Sequence, residues 1–191
     1  MIVKPTAEGL AASAQAAGKK GPPPVDLWNP PFCGDIDMRI ARDGTWFYQG
    51  SPIGRMPLVR LFSGILKREG DRYFLVTPVE KVGITVDDAP FVATDFDVSG
   101  TGRDQVLTFT THVGDTVTAG EGHEIRVTRD DETGEPAPYL HVRRGLEALI
   151  DRKSFYRLVD LCCQEQHDGK DWFGLWSSGR FFPVIPSGDL T

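Results

Sequence analysis

The chain has 191 residues, of which 40% are hydrophobic and 25% are charged, and its formal net charge is −6 at pH 7. This profile is typical of a soluble globular protein with one large domain or two small ones. The negative charge argues against a general nucleic-acid-binding surface, which needs concentrated Lys and Arg. No apolar run approaches the ~20 residues of a membrane helix, and the N-terminal residues lack the apolar core of a signal peptide. We therefore expect a cytoplasmic protein that does not enter the membrane.

Residues 1–24 are predicted to form a flexible arm outside the folded body. Thr6 can cap a short helix over residues 7–17, and Gly18 can end it. The prolines at 22–24 favour an extended linker after this helix. We expect the arm to be mobile or laid on the surface.

The next segment, residues 25–98, is predicted to be an N-terminal α+β repeat. Apolar and charged residues alternate over 35–40, which is the period of a half-buried strand, and the Asp43-Gly44 pair predicts a hairpin turn. Pro57 suits the first turn of a helix that runs to about Leu66. The other predicted strands are 46–48, 73–77 and a hairpin made of 82–86 with 91–93.

Residues 99–191 are predicted to be a C-terminal α+β repeat, which begins in the Gly-, Ser- and Thr-rich segment 98–104. A short helix is predicted over 144–150, and a second helix is capped by Ser154 and runs to about Gln164. Strands outnumber helices, which favours an α+β fold with mostly antiparallel sheet. The predicted strands are 106–111, 125–128, 139–142, 172–176 and 181–184.

A short pattern occurs once in each half and indicates a duplicated unit. Leu58–Phe62 is followed by a strand at Tyr73–Val76, and Phe155–Val159 is followed by a strand at Trp172–Trp176. Both copies have an Arg within an apolar helical stripe and an aromatic pair at the start of the strand. Repetition at long spacing is typical of duplicated modules, and clefts between lobes bind ligands. We therefore predict a ligand site between the two repeats.

The chain contains no motif that names a reaction. In the segment Gly50–Gly54 a proline follows Ser51, so a nucleophile elbow would lack the N–H donor of its oxyanion hole. No phosphate-binding P-loop occurs, and Gly100–Gly102 precedes a predicted strand where a dinucleotide-binding turn would precede a helix. The histidines lack zinc-binding spacing. These observations favour a non-enzymatic protein without a metal or cofactor.

The cysteines do not predict a disulfide framework. Cys33, Cys162 and Cys163 are odd in number, and two of them are adjacent. No Cys-x-x-Cys pair is present, so a zinc ribbon or a thioredoxin-like motif is excluded. We expect reduced thiols in a reducing compartment, and a redox-sensing role for the adjacent pair stays open.

Two pairs of carboxylates keep a metal-dependent phosphoesterase open as an alternative. Asp35 and Asp37 share one face of a strand, as do Asp95 and Asp97, and such pairs can hold Mg²⁺. Arg39 lies on the same face as Asp37, and an ion pair between them is the simpler interpretation.

Charged residues at predicted strand ends are the candidates for an anion site. Arg143 and Arg144 can hold a phosphate or carboxylate bidentately, with surface ion pairs as the alternative. In this hypothesis the arginines meet the phosphate, Trp28 or Tyr139 offers a stacking face, and carboxylates accept hydrogen bonds. The predicted ligand-binding residues are Trp28, Arg39, Glu80, Lys81, Asp88, His112, Tyr139, Arg143 and Arg144.

Several motifs follow one another in a specific order across residues 28–184. They are Trp28-Asn29-Pro30, Cys33 to Ile40, Asp43 to Trp46, Gly50 to Ile53, Thr77 to Lys81, Asp88 to Phe91, and Pro138 to Leu140 with Arg143. In this order they resemble a bacterial family, domain of unknown function 1285. The resemblance implies a duplicated α+β core whose C-terminal half is pleckstrin-homology-like. It also implies a nucleotide-like or nucleic-acid-related ligand in the groove between the halves, and a role in signal transduction.

The sequence thus predicts a non-enzymatic signalling protein that binds a small anionic, nucleotide-like molecule between its repeats. A signalling protein is a further expected partner. The alternatives are the metal-dependent phosphoesterase and a protein-interaction module that binds through a sheet edge.

Overall fold

The computed structural model describes residues 4–18 and 21–190 and contains two compact units. Unit 1 is Met1–Pro90 and unit 2 is Phe91–Thr191. The division between the units falls at the start of a nine-residue strand that begins at Phe91. This is eight residues before the boundary expected from composition. The glycine-rich segment that suggested that boundary forms a turn within unit 2. In the described part of the chain, no helix is long and apolar enough to cross a membrane.

Unit 1 is built on a six-stranded sheet with the order β3-β2-β1-β6-β5-β4. The described strands pair antiparallel, apart from β1 and β6, which run parallel at the centre. Their bounds are β1 Phe32–Ile40, β2 Trp46–Tyr48, β3 Ser51–Pro52, β4 Leu66–Glu69, β5 Arg72–Val76 and β6 Lys81–Val86.

Helices α1 (Ala7–Ala17) and α2 (Met56–Gly64) pack against each other in unit 1. The Thr6 hydroxyl accepts a hydrogen bond from the Gly9 N–H at 3.1 Å, which caps α1 as the sequence predicts. Leu10 of α1 is fully buried, because the helix contributes its apolar side to the core of unit 1. The helix of the expected flexible arm is therefore packed, while Lys19 and Lys20 of the linker lie outside the described residues.

Unit 2 contains a second six-stranded sheet with the order β10-β11-β12-β7-β8-β9, in which β12 and β7 run parallel. Helix α3 (Arg152–Val159) follows this sheet, and three further strands form an antiparallel sheet. The six-stranded sheet of unit 2 curls into a half-barrel and is followed by α3, which is consistent with a pleckstrin-homology-like fold. The strand bounds are β7 Phe91–Ser99, β8 Val106–Thr111, β9 Thr116–Thr118, β10 Ile125–Arg129, β11 Pro136–Arg143, β12 Leu146–Ile150, β13 Cys163–His167, β14 Lys170–Ser177 and β15 Arg180–Pro186.

The two six-stranded sheets have the same topology, which confirms the predicted duplication and the α+β class. Each sheet consists of two three-stranded meanders, and the first and last strands of the six pair in parallel at the centre. The segments from which the duplication was inferred are nevertheless not equivalent. Helix α2 lies between the two meanders of unit 1, whereas α3 follows both meanders of unit 2. Their similarity is local, since each helix precedes a β-hairpin.

The predicted helix over residues 144–150 is wrong. Arg144 and Gly145 form a tight turn with φ angles of 48° and 74°, and the chain returns as β12. Alternate residues of β12, namely Leu146, Ala148 and Ile150, are buried. Pairing with β11 on one side and β7 on the other overrides the helix-favouring composition.

Two further expectations are corrected. Strands β6 and β7 do not form a hairpin, because β6 pairs with β1 and β5 whereas β7 pairs with β8 and β12. The helix expected from Ser154 to Gln164 is shorter and begins earlier, at Arg152. Its cap is Asp151, whose carboxylate accepts a hydrogen bond from the Ser154 N–H at 2.8 Å.

Candidate functional site

In unit 1 the predicted site residues fall at the two ends of the β1–β6 pair. Trp28 lies four positions before the start of β1 at Phe32, and Lys81 opens β6 opposite Phe32. Glu80 lies next to Lys81, and burial raises the pKa of its carboxyl. These three predicted residues therefore share one end of the sheet.

The remaining predicted residues of unit 1 lie at the opposite end and are held in ion pairs. Arg39 bonds to Asp87, and its guanidinium lies 4.7 Å from the centre of the Phe47 ring. Arg42 bonds to Asp88 at 3.2 Å. Arg39 and Asp88 are thus near each other but distant along the strands from Lys81.

In unit 2 two predicted residues meet at the start of β7. The His112 Nδ1 atom accepts a hydrogen bond from the Val92 N–H at 3.1 Å. Arg143 donates to Asp115 at 2.7 Å and lies 5.0 Å over the ring of Phe91. Both side chains support the local backbone and packing.

The other two predicted residues of unit 2 have different environments. Arg144 occupies the turn between β11 and β12. Tyr139 is only 8% exposed, and the Arg126 guanidinium covers its ring at 4.4 Å. Because Tyr139 is buried as well as covered by an arginine, its ring is not open to a ligand.

One carboxylate of each pair that suggested a metal site is engaged by an arginine, and Arg39, which was expected to pair with Asp37, pairs with Asp87 instead. Arg72 donates to Asp35 at 2.6 Å, and Arg157 donates to Asp95 at 2.5 Å. Among the described residues, no group of three or more His, Cys, Asp and Glu side chains is arranged to hold a metal ion.

A cavity of about 450 Å³ lies in unit 2, between the turn after β7 and the segment that joins α3 to β13. Apolar side chains and glycines form much of its wall, and Trp176 of β14 contributes an indole. Its lining residues are Val98, Gly100, Thr101, Gly102, Gln105, Asp160, Leu161, Cys163 and Trp176.

The turn that forms one wall is fixed by glycine and by a buried amide. Gly100 has a φ of 71°, and a Cβ at this position would lie 2.6 Å from the carbonyl oxygen of Asp104. Only glycine therefore allows the turn to close this tightly. Gln105 is 5% exposed and donates from Nε2 to the Trp176 carbonyl at 2.7 Å. This hydrogen bond ties the turn to β14.

The indole of Trp176 is held by a hydrogen bond and by an arginine over its ring. Its Nε1 donates to the Glu165 carboxylate at 3.2 Å. The same carboxylate accepts hydrogen bonds from Nε and Nη2 of Arg103 at 3.1, 3.0 and 2.9 Å. The Arg103 guanidinium lies 5.2 Å from the centre of the Trp176 ring. The arrangement presents a planar, oriented indole with a cation beside it.

Among the described residues that line the cavity, the ionisable ones are Asp160 and Cys163. Burial raises the pKa of the Cys163 thiol and raises that of the neighbouring Cys162 to about 12. Both thiols are therefore protonated at neutral pH and are poor nucleophiles.

Two family models together match most of the chain. Residues 23–89 match the N-terminal domain of DUF1285, a domain of unknown function, and residues 90–184 match the C-terminal domain of the same family. The chain belongs to the DUF1285 family. The two matched domains meet at residues 89 and 90, next to the division between units 1 and 2.

Solved structures of DUF1285 proteins resemble this chain. One, a DUF1285 family protein from Silicibacter pomeroyi DSS-3, is 72% identical with a TM-score of 0.85, and the match covers 95% of this chain and 97% of that one. Another, from Shewanella baltica OS155, is 30% identical with a TM-score of 0.51, over 64% of this chain and 90% of that one. Comparison with curated proteins gives no significant match.

Sequence reasoning missed the cavity of this DUF1285 protein. Trp176 was placed at the end of a predicted strand without a role, and Arg103 and Glu165 were not singled out. The Arg103–Glu165 pair joins positions 62 residues apart, and no local pattern reports such a contact. The one local indication was the Gly100–Gly102 segment, which marks a tight turn.

Proposed function

We propose that this DUF1285 protein is a non-enzymatic, cytoplasmic ligand-binding protein of signal transduction, and that a nucleotide-like molecule binds in the unit 2 cavity. The observation that carries the proposal is the oriented indole of Trp176 with Arg103 beside it. A ligand with a planar ring and an anionic group would place its ring on the indole of Trp176 and its anionic group on the guanidinium of Arg103. The earlier expectation of a site between the repeats stays a prediction.

The cavity suits the ring of such a ligand. Its volume of about 450 Å³ is within the range of small-molecule sites. A nucleobase that stacks on an aromatic side chain gains about 1–3 kcal/mol. Val98 and Leu161 supply apolar contacts, and Asp160 supplies an acceptor for a ring N–H or amino group.

Arg103 suits the anionic group. Its side chain is 69% exposed, and an exposed ion pair contributes little to stability, so its bonds to Glu165 are exchangeable. The guanidinium fork binds a phosphate with the same two-donor geometry that it uses on a carboxylate. We expect a bound ligand to share Arg103 with Glu165 or to displace Glu165 from it.

Among the described lining residues, the Cys163 thiol is a poor nucleophile, which supports binding over covalent chemistry at that sulfur. The raised pKa values of Cys162 and Cys163 keep both thiols protonated. In this proposal a bound nucleotide is released unchanged, and its occupancy is the quantity that the protein reports.

Calorimetric titration of the full chain with nucleosides, nucleotides and inorganic phosphate tests the proposal. We expect nucleotides to bind more tightly than nucleosides, and both more tightly than phosphate alone. Trp176→Leu should weaken nucleotide binding by about five- to 150-fold, the equivalent of one lost stacking contact. Trp172→Leu removes an indole from the same strand but outside the cavity and should leave the affinity unchanged.

Arg103→Gln separates the two parts of the ligand. It should weaken nucleotide binding while leaving nucleoside binding nearly unchanged. Arg126→Gln is the matched control, since Arg126 also forks a carboxylate, Glu147, and covers an aromatic ring. The proposal fails if no nucleotide binds, or if both tryptophan variants weaken binding equally.

A further inference from the structure

A row of four residues crosses one face of the unit 1 sheet. The Cα pairings run from Lys67 in β4 to Phe74 in β5, then to Gly83 in β6 and Asp35 in β1. Directly paired residues point to the same face of a sheet. Residues two positions away on these strands share that face, so Glu69, Arg72 and Lys81 belong to the same surface.

These side chains gather around the ring of Phe74, which is 5% exposed. Lys81 Nζ lies 4.7 Å and the Arg72 guanidinium 5.0 Å from the ring centre. Phe32 meets the same ring edge-on at 5.9 Å. We call the set Asp35, Lys67, Glu69, Arg72, Phe74 and Lys81 the Phe74 cluster.

Positive charge exceeds negative charge in the Phe74 cluster. Lys67 and Lys81 share one carboxylate, that of Glu69, at 3.4 and 3.1 Å. Both lysine side chains are about four-fifths covered, with exposures of 22% and 21%. Arg72 is paired with Asp35. Within the cluster as defined, three cations meet two carboxylates; Asp37 lies on the same face of β1 as Asp35, so the excess of one positive charge belongs to the cluster and not to the whole face.

Gly83 keeps the centre of this face open for the charged groups. A Cβ at Gly83 would collide with the Asp35 carboxylate and approach Arg72 Nη2 to 2.9 Å. The Asp35–Arg72 pair therefore lies directly over the glycine backbone. Asp35 and Glu69 are the more exposed partners, with side-chain exposures of 68% and 41%, so both have room to turn outward.

We propose that the Phe74 cluster binds a phosphate-type oxyanion, in a site separate from the unit 2 cavity. Lys67 and Lys81 converge on one carboxylate, and a phosphate presents oxygens at comparable spacing to the same two ammonium groups. Arg72 adds a guanidinium donor. Glu69 and Asp35 act as internal competitors that the incoming anion displaces.

The proposal predicts opposite effects from neighbouring residues. Lys81→Gln removes a donor and should weaken phosphate binding about tenfold or more. Glu69→Gln removes a competing carboxylate and should tighten phosphate binding several-fold, because both lysines then lack their internal partner. A cluster that serves only folding would not bind phosphate more tightly after losing Glu69.

The experiment is a titration of the full chain with inorganic phosphate, followed by phosphorus NMR line width. Arg68→Gln is the matched control, since Arg68 lies between Lys67 and Glu69 in β4 but pairs with Tyr73 on the other face. It removes the same charge and should leave phosphate binding unchanged. Equal weakening by Arg68→Gln and Lys81→Gln, or no tightening in Glu69→Gln, would overturn the site. Because these variants lie in unit 1, differences in phosphate binding among them report on the Phe74 cluster, whereas the unit 2 site is judged by the effects of Trp176→Leu and Arg103→Gln on nucleotide binding.

Discussion

Replacing Gly174 by alanine probes how closely β14 and β15 approach. Gly174 pairs with Pro183 beside a β-bulge. A Cβ at this position would collide with the carbonyl oxygen of Phe182 and lie 2.7 Å from Cζ of Phe181 and 3.0 Å from Cα of Pro183. Ordinary contacts begin at 3.4 Å. Since two of these atoms are backbone, a side-chain rotation cannot relieve the overlap, and the strands must separate.

The expected cost follows from that separation. Overpacking of a closely packed site costs about 1–3 kcal/mol, and each backbone hydrogen bond lost between the strands adds about 1 kcal/mol. We therefore expect Gly174→Ala to lower the free energy of unfolding by about 2–4 kcal/mol. For a chain of this size each kcal/mol shifts the Tm by about 2–4 °C, so the Tm should fall by roughly 4–16 °C.

Gly83→Ala is the control, because the same substitution in another strand meets a different obstacle. There the added Cβ collides with the carboxylate of Asp35, an exposed side-chain end that can rotate away. The lost ion pair costs about 0–1 kcal/mol, and replacing glycine within a strand recovers about 0.5–1 kcal/mol. Melting curves followed by circular dichroism should show little change. If Gly174→Ala melts within a degree or two of Gly83→Ala, the steric reasoning is refuted.

Three further predictions concern ionisable side chains. Burial raises the pKa of the Glu80 carboxyl above its ordinary 4.5, so Glu80→Gln should raise the Tm at neutral pH. This gain should vanish as the pH falls below 4.5, where the carboxyl is protonated in both the folded and the unfolded chain. A difference in Tm that does not change with pH would contradict the raised pKa. The hydrogen bond from Arg157 lowers the pKa of the Asp95 carboxyl below its ordinary 3.8. The stabilisation from this bond is therefore present above pH 3.8 and is lost as the pH falls through the pKa that Asp95 has in the folded chain. Asp95→Asn should lower the Tm at neutral pH but not in acid, which a series of melting curves at different pH would measure. Iodoacetamide should modify the exposed Cys33 in the native protein and reach Cys162, whose pKa is raised to about 12, only after unfolding; early labelling of Cys162 in peptide mass spectra would disprove this order.

Local patterns predicted the individual helices and strands of this fold better than they predicted which strands pair with each other. The alternation over residues 35–40 and the Asp43-Gly44 turn gave β1 and its hairpin, because both signals lie within a few residues. Strand β12 was taken for a helix, since Leu146–Ile150 contains good helix formers. Its identity depends on β7, more than fifty residues earlier in the chain, and sequence alone does not reveal that partner.

The candidate sites were partly accessible from the sequence for the same reason. Lys81 was selected because it follows the predicted strand 73–77 together with Glu80. In the structure it belongs to the Phe74 cluster. Glu69, which pairs with Lys81, was not selected. The two residues come together only because the turn after Glu69 folds β4 against β5, which pairs with β6 in turn. Tyr139 was selected as a stacking face, but the register of β10 with β11 brings Arg126 over its ring.

Comparison of the two sheets shows why the same topology supports different chemistry. A row comparable to Lys67–Phe74–Gly83–Asp35 crosses the equivalent strands of unit 2, through Arg126, Tyr139, Leu149 and Val92. A cation and an aromatic ring occur in both rows, but Leu149 and Val92 stand where unit 1 has glycine and aspartate.

The charge balance of the two rows differs in consequence. In unit 2 the residue two positions before Leu149 is Glu147, which neutralises Arg126 one to one. In unit 1 the residue two positions before Gly83 is Lys81, so that this strand adds a cation instead of removing one. The comparable row of unit 2 therefore lacks the additional cation that Lys81 supplies in unit 1. The unit 2 cavity, in turn, lies between the turn after β7 and two elements that follow the duplicated sheet, namely the segment that joins α3 to β13 and strand β14. Duplication supplied two similar frameworks, and each acquired its own candidate site through a few substitutions or an added segment.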